Sequence, residues 1–165
     1  ILTRMAVERD TVTFVCTGNT CRSPMAEALL RATLAKRGQG LEKLKVASFG
    51  LAAQDGQPPS ANSVKAMQRI GLDVSGHRSR LLTQADVDRS VVIFGMTESH
   101  LAALHSRFDV LPDFVLLLRD VLPSDVPRDI PDPFGGGYRE YEECRDSMVE
   151  AVPAMVEFLR QNLSR

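Results

Sequence analysis

The sequence predicts a small α/β domain: a doubly wound, four-stranded parallel sheet with helices on both faces. Two observations carry this expectation. Four short, mostly apolar runs (11–15, 45–49, 90–94 and 114–118) read as strands buried on both sides. Segments of helical period separate them, the alternation from which parallel sheets are built. At 165 residues the chain has single-domain length, and folding should bury about 70% of the unfolded surface without a disulfide framework.

The elements follow in order. Residues 1–10 start at Ile and read as an N-terminal extension, with Met5 a candidate natural start and 11–165 the domain. The first strand, 11–15, ends at Cys16. Pro24 suits the first turn of a helix, where no donor is lost, and Met25, Ala28, Leu29 and Ala32 recur at helical spacing until the Gly-Gln-Gly of 38–40. Residues 45–49 form the second strand. After the Gln-Pro-Pro-Ser loop at 57–60, Ser60 caps a helix through Ile70 that Gly71 ends. The third strand, 90–94, leads to a helix capped near Thr97, and 114–118 is the fourth. Between 119 and 137 runs a loop with Pro123, Pro127, Pro131, Pro133 and three consecutive glycines. Loops this long in compact domains are usually functional or disordered. The last helix, 138–163, carries Tyr141, Cys144, Met148, Val152, Met155, Leu159 and Leu163 on one stripe, where Cys144 reads as core packing. Pro153 should kink it or split it in two.

Composition narrows the function. With 44% hydrophobic and 25% charged residues and a net charge of −1, nothing draws the chain generally to nucleic acid or to a membrane. No apolar run approaches ~20 residues and no secretory h-region is present. Cys16, Cys21 and Cys144 are odd in number and have no zinc spacing. A cytoplasmic protein without metal or cofactor is expected.

Chemistry concentrates in Val-Cys-Thr-Gly-Asn-Thr-Cys-Arg-Ser-Pro at 15–24. In a strand–loop–helix unit the amides of Thr17, Gly18, Asn19, Thr20 and Cys21 can turn inward as an anion nest. The helix dipole points the same way. Gly18 allows close approach, and Asn19 tolerates positive φ. Arg22 offers a planar fork for two phosphate oxygens. Such a field favours a thiolate at Cys16, and Ser23 is placed to donate to it. A buried, inert cysteine beside a surface arginine is the bland alternative. The strand before and the Ser-Pro helix start after argue against it.

At these residues the chain resembles the low-molecular-weight protein tyrosine phosphatase family. Val-Cys-Thr-Gly-Asn-Thr-Cys-Arg-Ser-Pro-Met-Ala-Glu at 15–27 is similar to that family's phosphate-binding loop and first helix. Ala-Ser-Phe-Gly at 47–50, Gly-His-Arg-Ser-Arg at 76–80, Gly-Met-Thr at 95–97 and Asp-Pro-Phe-Gly-Gly at 132–136 extend the likeness in order from Thr11 onward. The resemblance implies a cysteine-dependent phosphatase acting on phosphorylated protein: Cys16 attacks phosphorus, Arg22 and the loop amides hold the oxygens, and Asp132 is the general acid. Pro131 and Pro133 brace Asp132; Asp120, Asp125 and Asp129 are its competitors on the same loop. The resemblance also implies that Ser48 and His77 join Asn19 in supporting the loop, and that Cys21 can pair reversibly with Cys16. Simple packing is the alternative for Cys21. His100 and His105 lie at a spacing that does not align ligands, and surface positions are expected for both. A monomer is favoured.

Thr20 bears on the substrate. Tyrosine-directed relatives typically carry a bulky aliphatic there, whereas arginine phosphatases of the family carry Thr. Phe134-Gly135 stands where tyrosine-directed members often have paired tyrosines, so Phe134 marks the substrate cleft. The sequence leans to phosphoarginine, with phosphotyrosine the alternative and Thr20 then a neutral variation. An arsenate reductase would need relay cysteines that 72–88 lacks. A sugar-transport phosphocarrier would not need the Arg22–Asp132 pair.

Overall fold

The computed structural model describes residues 7–37 and 40–163. Its elements run β1 (Thr11–Cys16), α1 (Arg22–Arg37), β2 (Lys45–Gly50), α2 (Ala61–Gln68), α3 (Gln84–Arg89), β3 (Ser90–Gly95), α4 (Glu98–Arg107), β4 (Phe114–Leu117), a 3-10 turn (Leu118–Val121) and α5 (Tyr138–Leu163). The strands form one parallel sheet in the order β2-β1-β3-β4, the doubly wound arrangement the sequence predicts.

Both faces of β1 are covered, which is why all of it is buried. Val12 and Phe14 join Val92, Phe94 and the buried faces of α1, α2 and α5 in one layer. Val15 and Ile93 join Val87 of α3 and Leu104 of α4 in the other. The Phe14 and Phe94 rings stack with centroids 5.5 Å apart, and Phe158 of α5 meets Phe94 edge-on at 6.1 Å. From β1 the chain crosses to β2 on one side, then returns past β1 to β3 on the other. The carboxyl ends of β1 and β3 therefore diverge into a crevice, where open α/β sheets bind ligands.

Local chemistry sets the element ends. Ser60 caps α2, its hydroxyl accepting from Ser63 N at 3.3 Å, and Gly71 takes φ 81° after the helix. The six-residue α3 is an addition to the elements read from sequence. A capping box starts it, with Thr83 N donating to Asp86 Oδ2 at 3.0 Å. The fourth strand stops one residue early, because Leu117 N turns to Asp120 Oδ2 at 2.8 Å and opens the 3-10 turn. The long loop thus begins structured. α5 is one helix through Pro153 rather than two pieces. Pro153 is exposed, and the carbonyl it leaves without a helical partner belongs to Val149, itself 41% exposed, so water can satisfy it. Of the expected extension, Arg9 and Asp10 are fastened to the sheet: Arg9 Nη1 donates to Ser90 O at 2.9 Å, and Asp10 O accepts from Lys45 N at 2.9 Å. Met5 and the helix stop at 38–39 lie outside the described residues.

Candidate active site

The loop from Cys16 to Arg22 curls at the end of β1 and lines a cavity of about 220 Å³, with Asp132 and Phe134 on its far wall. Its shape follows from where its carbonyls go. Cys16 O accepts from Leu51 N, Thr17 O from Ala52 N and Thr20 O from Ser60 N, each at 2.9 Å. Asn19 O accepts from His77 Nε2 at 2.8 Å. With these carbonyls bound outward, the amide N–H side of the loop is left toward the cavity, as in an anion nest. The first turn of α1 carries no acidic residue, so the positive end of its dipole is unopposed there.

Asn19 has φ 57°, and among the described residues it is the non-glycine with positive φ. Its buried side chain stabilises that conformation. Nδ2 donates to Ser23 Oγ at 2.8 Å and Ser48 Oγ at 3.0 Å, while Oδ1 accepts from Arg80 N at 2.9 Å. The structure thus brings Asn19, Ser48 and His77 together beneath the loop, as the resemblance implies. Burial pushes the His77 imidazole below its ordinary value, and since a carbonyl only accepts, its proton is on Nε2. Gly18 needs no positive φ, and a Cβ there would meet only Thr20 Oγ1 at 3.8 Å. Gly50 is the glycine the loop requires. A Cβ there would stand 2.7 Å from Thr17 O and 2.6 Å from Ala53 Cβ.

Cys16 is buried with Sγ 3.0 Å from Ser23 Oγ. Asn19 donates to that oxygen, and the Ser23 proton has the sulfur at 3.0 Å and the Phe49 carbonyl at a longer 3.5 Å as acceptors. Arg22 is also buried, its Nη1 donating to Ile130 O at 2.9 Å and its Nη2 3.6 Å from Asp132 Oδ2. Its Nε is buried and has no hydrogen-bond partner.

Asp132 is half exposed, and its Oδ1 accepts from Phe134 N at 3.1 Å. Its competitors serve elsewhere. Asp120 caps the 3-10 turn and meets Arg128 at 3.4 Å. Asp129 accepts from Glu98 N at 3.2 Å, at the start of α4, and Asp125 is exposed away from the cavity lining. Phe134 is 76% exposed at the cavity edge. Thr20 lines the wall, its Oγ1 3.7 Å from Cys21 Sγ. Cys16, Cys21 and Cys144 are all free thiols. Cys21 Sγ lies 3.5 Å from Ser60 Oγ and 3.6 Å from Tyr141 Oη. Cys144 packs on α5, where burial pushes its thiol up to about 12.

Two residues depart from the sequence reading. His100 is buried rather than at the surface: Nδ1 accepts from Met96 N and Thr97 N, both at 3.2 Å, and Nε2 is 3.0 Å from Thr17 Oγ1. Only His105 is exposed as expected. Arg119, unassigned from sequence, is buried and pins the acid-bearing loop to α5, donating to Pro127 O and Ser147 O at 2.6 Å each. Its isolated position in sequence carries no signal of this; for His100 the signal lay in its place three residues after a Thr cap.

Residues 11–165 match the family model described as low molecular weight phosphotyrosine protein phosphatase. A protein-arginine-phosphatase of Geobacillus stearothermophilus is 33% identical over 149 residues, covering 90% of this chain and 95% of the relative. A low molecular weight protein-tyrosine-phosphatase of Streptomyces coelicolor is 37% identical over 147 residues, covering 86% and 87%. Among solved structures, a mutant of the YwlE arginine phosphatase with a phosphorylated active-site serine superposes with a TM-score of 0.84 at 29% identity, covering 93% of this chain and 97% of that one.

Proposed function

The chain belongs to the low molecular weight phosphotyrosine protein phosphatase family, and from that premise we propose that it hydrolyses phosphoarginine on proteins through a phosphocysteine on Cys16. The observation that carries this is the cavity whose lining holds Cys16, Arg22 and Asp132 together under an outward-turned set of carbonyls.

The Cys16 thiolate attacks phosphorus as the bond to the leaving nitrogen or oxygen breaks. The loop amides and Arg22, including its unpaired Nε, hold the equatorial oxygens as charge builds on them. Asp132 gives its proton to the leaving atom. Water then attacks phosphorus, Asp132 takes the water's proton, and Cys16 leaves as a thiolate that accepts from Ser23. The phosphorylated serine named for the YwlE mutant is consistent with a covalent first step. Asn19, Ser48 and His77 hold the loop in register; for Cys21, reversible pairing with Cys16 and simple packing against Ser60 and Tyr141 are the two readings.

Phosphoarginine is favoured by Thr20 on the wall. A small polar residue leaves room for a phosphoguanidinium, whose guanidine is far more basic than a phenoxide and so leaves poorly unless protonated, and Asp132 is at hand. Relatives named for arginine and for tyrosine both match, so identity does not decide between them. The test is kcat/KM for a phosphoarginine peptide over its phosphotyrosine counterpart, with Cys16→Ser as blank. A ratio above one is expected, and Thr20→Ile should lower it about tenfold. A ratio below one makes phosphotyrosine the substrate; turnover surviving in the blank removes Cys16 as nucleophile. No helix among the described residues is long and apolar enough to cross a membrane. A monomeric, cytoplasmic enzyme, where reducing conditions keep its thiols free, completes the reading.

A further inference from the structure

We propose that His100 is a positioning residue for this reaction, aiming the Thr17 hydroxyl at the bound phosphoryl group and tying the phosphate-binding loop to the segment that carries the acid. The inference rests on the reading of Cys16 and Asp132 given above. Its geometry is specific. Nδ1 faces two backbone amides, Met96 N and Thr97 N, and amides only donate. Nδ1 is therefore the bare acceptor, and the proton sits on Nε2. Nε2–H in turn donates to Thr17 Oγ1 at 3.0 Å. With one side of that oxygen occupied, the Thr17 proton is left for the cavity that Thr17 lines.

The same ring closes a circuit of hydrogen bonds. Met96 O accepts from Ile130 N at 2.8 Å, and Ile130 O accepts from Arg22 Nη1 at 2.9 Å. Asp129, three residues before the acid, accepts from Glu98 N. Thr17 and Arg22, at opposite ends of the loop, are thus joined through His100 and the backbone of 96 and 130. Gly95 makes room for this: a Cβ there would meet His100 Cβ at 3.1 Å. A plain helix cap would explain the contacts at Nδ1, to the amides of 96 and 97 and to Thr97 Oγ1 at 3.4 Å. It would not explain why the ring continues to Thr17.

The charges facing the ring oppose one another. Burial disfavours the imidazolium most, Arg22 adds to it, and together they outweigh Asp132 and Asp129, which favour it, pushing the imidazole down to about 4. At neutral pH the ring is uncharged and keeps the tautomer that the contacts require.

Three variants test this, with 4-nitrophenyl phosphate as substrate and inorganic phosphate as inhibitor. His100→Asn keeps an acceptor for 96 and 97 but loses the arm to Thr17. Thr17→Val removes the hydroxyl. Each should raise KM and the phosphate inhibition constant together by about tenfold, the scale of one hydrogen bond to a charged group, with kcat less affected. Their combination should cost little more than either alone. His100→Gln, whose amide nitrogen can reach the place of Nε2, should recover part of the phosphate affinity. Imidazole 15N shifts of the wild-type protein at pH 7 should show the neutral Nε2–H tautomer. Fully additive losses, wild-type phosphate inhibition in Thr17→Val, or an Nδ1–H or charged ring would overturn the proposal. Should His100→Asn not fold, Thr17→Val and the wild-type tautomer still decide it. Turnover surviving in Cys16→Ser would instead refute the nucleophile, and the tautomer measurement would continue to judge His100 independently.

Discussion

Replacing Asn19 separates two contributions to the loop that are fused in the native chain. Asn19→Ala removes three side-chain hydrogen bonds, to Ser23 Oγ, Ser48 Oγ and Arg80 N. At about 1 kcal/mol net each they amount to roughly 3 kcal/mol, more if the buried partners stay unpaired. A Cβ-bearing residue without local hydrogen bonds at φ 57° adds about 1–2 kcal/mol. The expected loss is therefore about 4–5 kcal/mol, a large share of a typical domain's stability. Asn19→Gly loses the same bonds but not the left-handed strain, so it should unfold later than Asn19→Ala, by less than about 1 kcal/mol once the extra freedom of an unfolded glycine is counted. Function should fall in both. Without Asn19 the Ser23 hydroxyl is no longer held toward Cys16, and misplacement on that scale costs about 100-fold in kcat. Urea unfolding gives the stabilities; turnover of 4-nitrophenyl phosphate gives the rest. If both variants stayed within about 1 kcal/mol of wild type, the network would not be what holds the loop.

Four further outcomes are expected. Gly50→Ala drives a methyl against Thr17 O and Ala53, and should cost about 1–3 kcal/mol while weakening inhibition by inorganic phosphate; unchanged inhibition would show that the loop does not lean on β2. Asp132→Ala should slow esters with poor leaving groups about 100-fold or more and activated aryl esters far less, so equal losses on both would remove it as the acid. Buried neutral, His77 and His100 both have folded pKa values below the usual 6.5; the unfolded chain then binds more protons, and their contribution to stability, whole above about pH 6.5, is lost as pH falls below it, for His100 toward about 4. Urea midpoints across that window should decline, and His100→Asn should flatten the slope. Cys144, pushed up to about 12 by burial, should resist iodoacetamide at pH 7.5 while Cys16 reacts, as peptide mapping will show.

The core of the fold was legible because its signals are local. Four buried runs and the periods between them place the sheet, and the chain from Cys16 to Pro24 states its chemistry within a few residues. What sequence left open depends on distance. The capping box at Thr83 and Asp86 was readable, but α3 has only six residues, too few to show a period. At Pro153, the effect depended on which face of α5 the residue takes. There it meets solvent, and the helix passes through. Gly50 shows the same dependence. Its motif could be recognised, yet the reason for glycine is the Thr17 carbonyl, thirty-three positions away.

His100 sharpens the point. Spacing rules ask whether two histidines can share one ligand, and for His100 and His105 the answer was no. The question the fold poses is different: which group beyond the carboxyl end of β3 can satisfy two amides and still reach β1's loop? A carboxylate would accept from both amides but would bring negative charge toward the dianion's site. Serine or threonine is too short to reach Thr17, and lysine accepts nothing. Asparagine caps the turn but stops there. A neutral imidazole accepts at one ring nitrogen and donates from the other, on the far side of the ring. It does so without charge, provided that burial outweighs Asp129 and Asp132, as it does here. The residue type follows from the site's electrostatics and from the parallel neighbours β1 and β3, and neither is a property of the six residues around position 100.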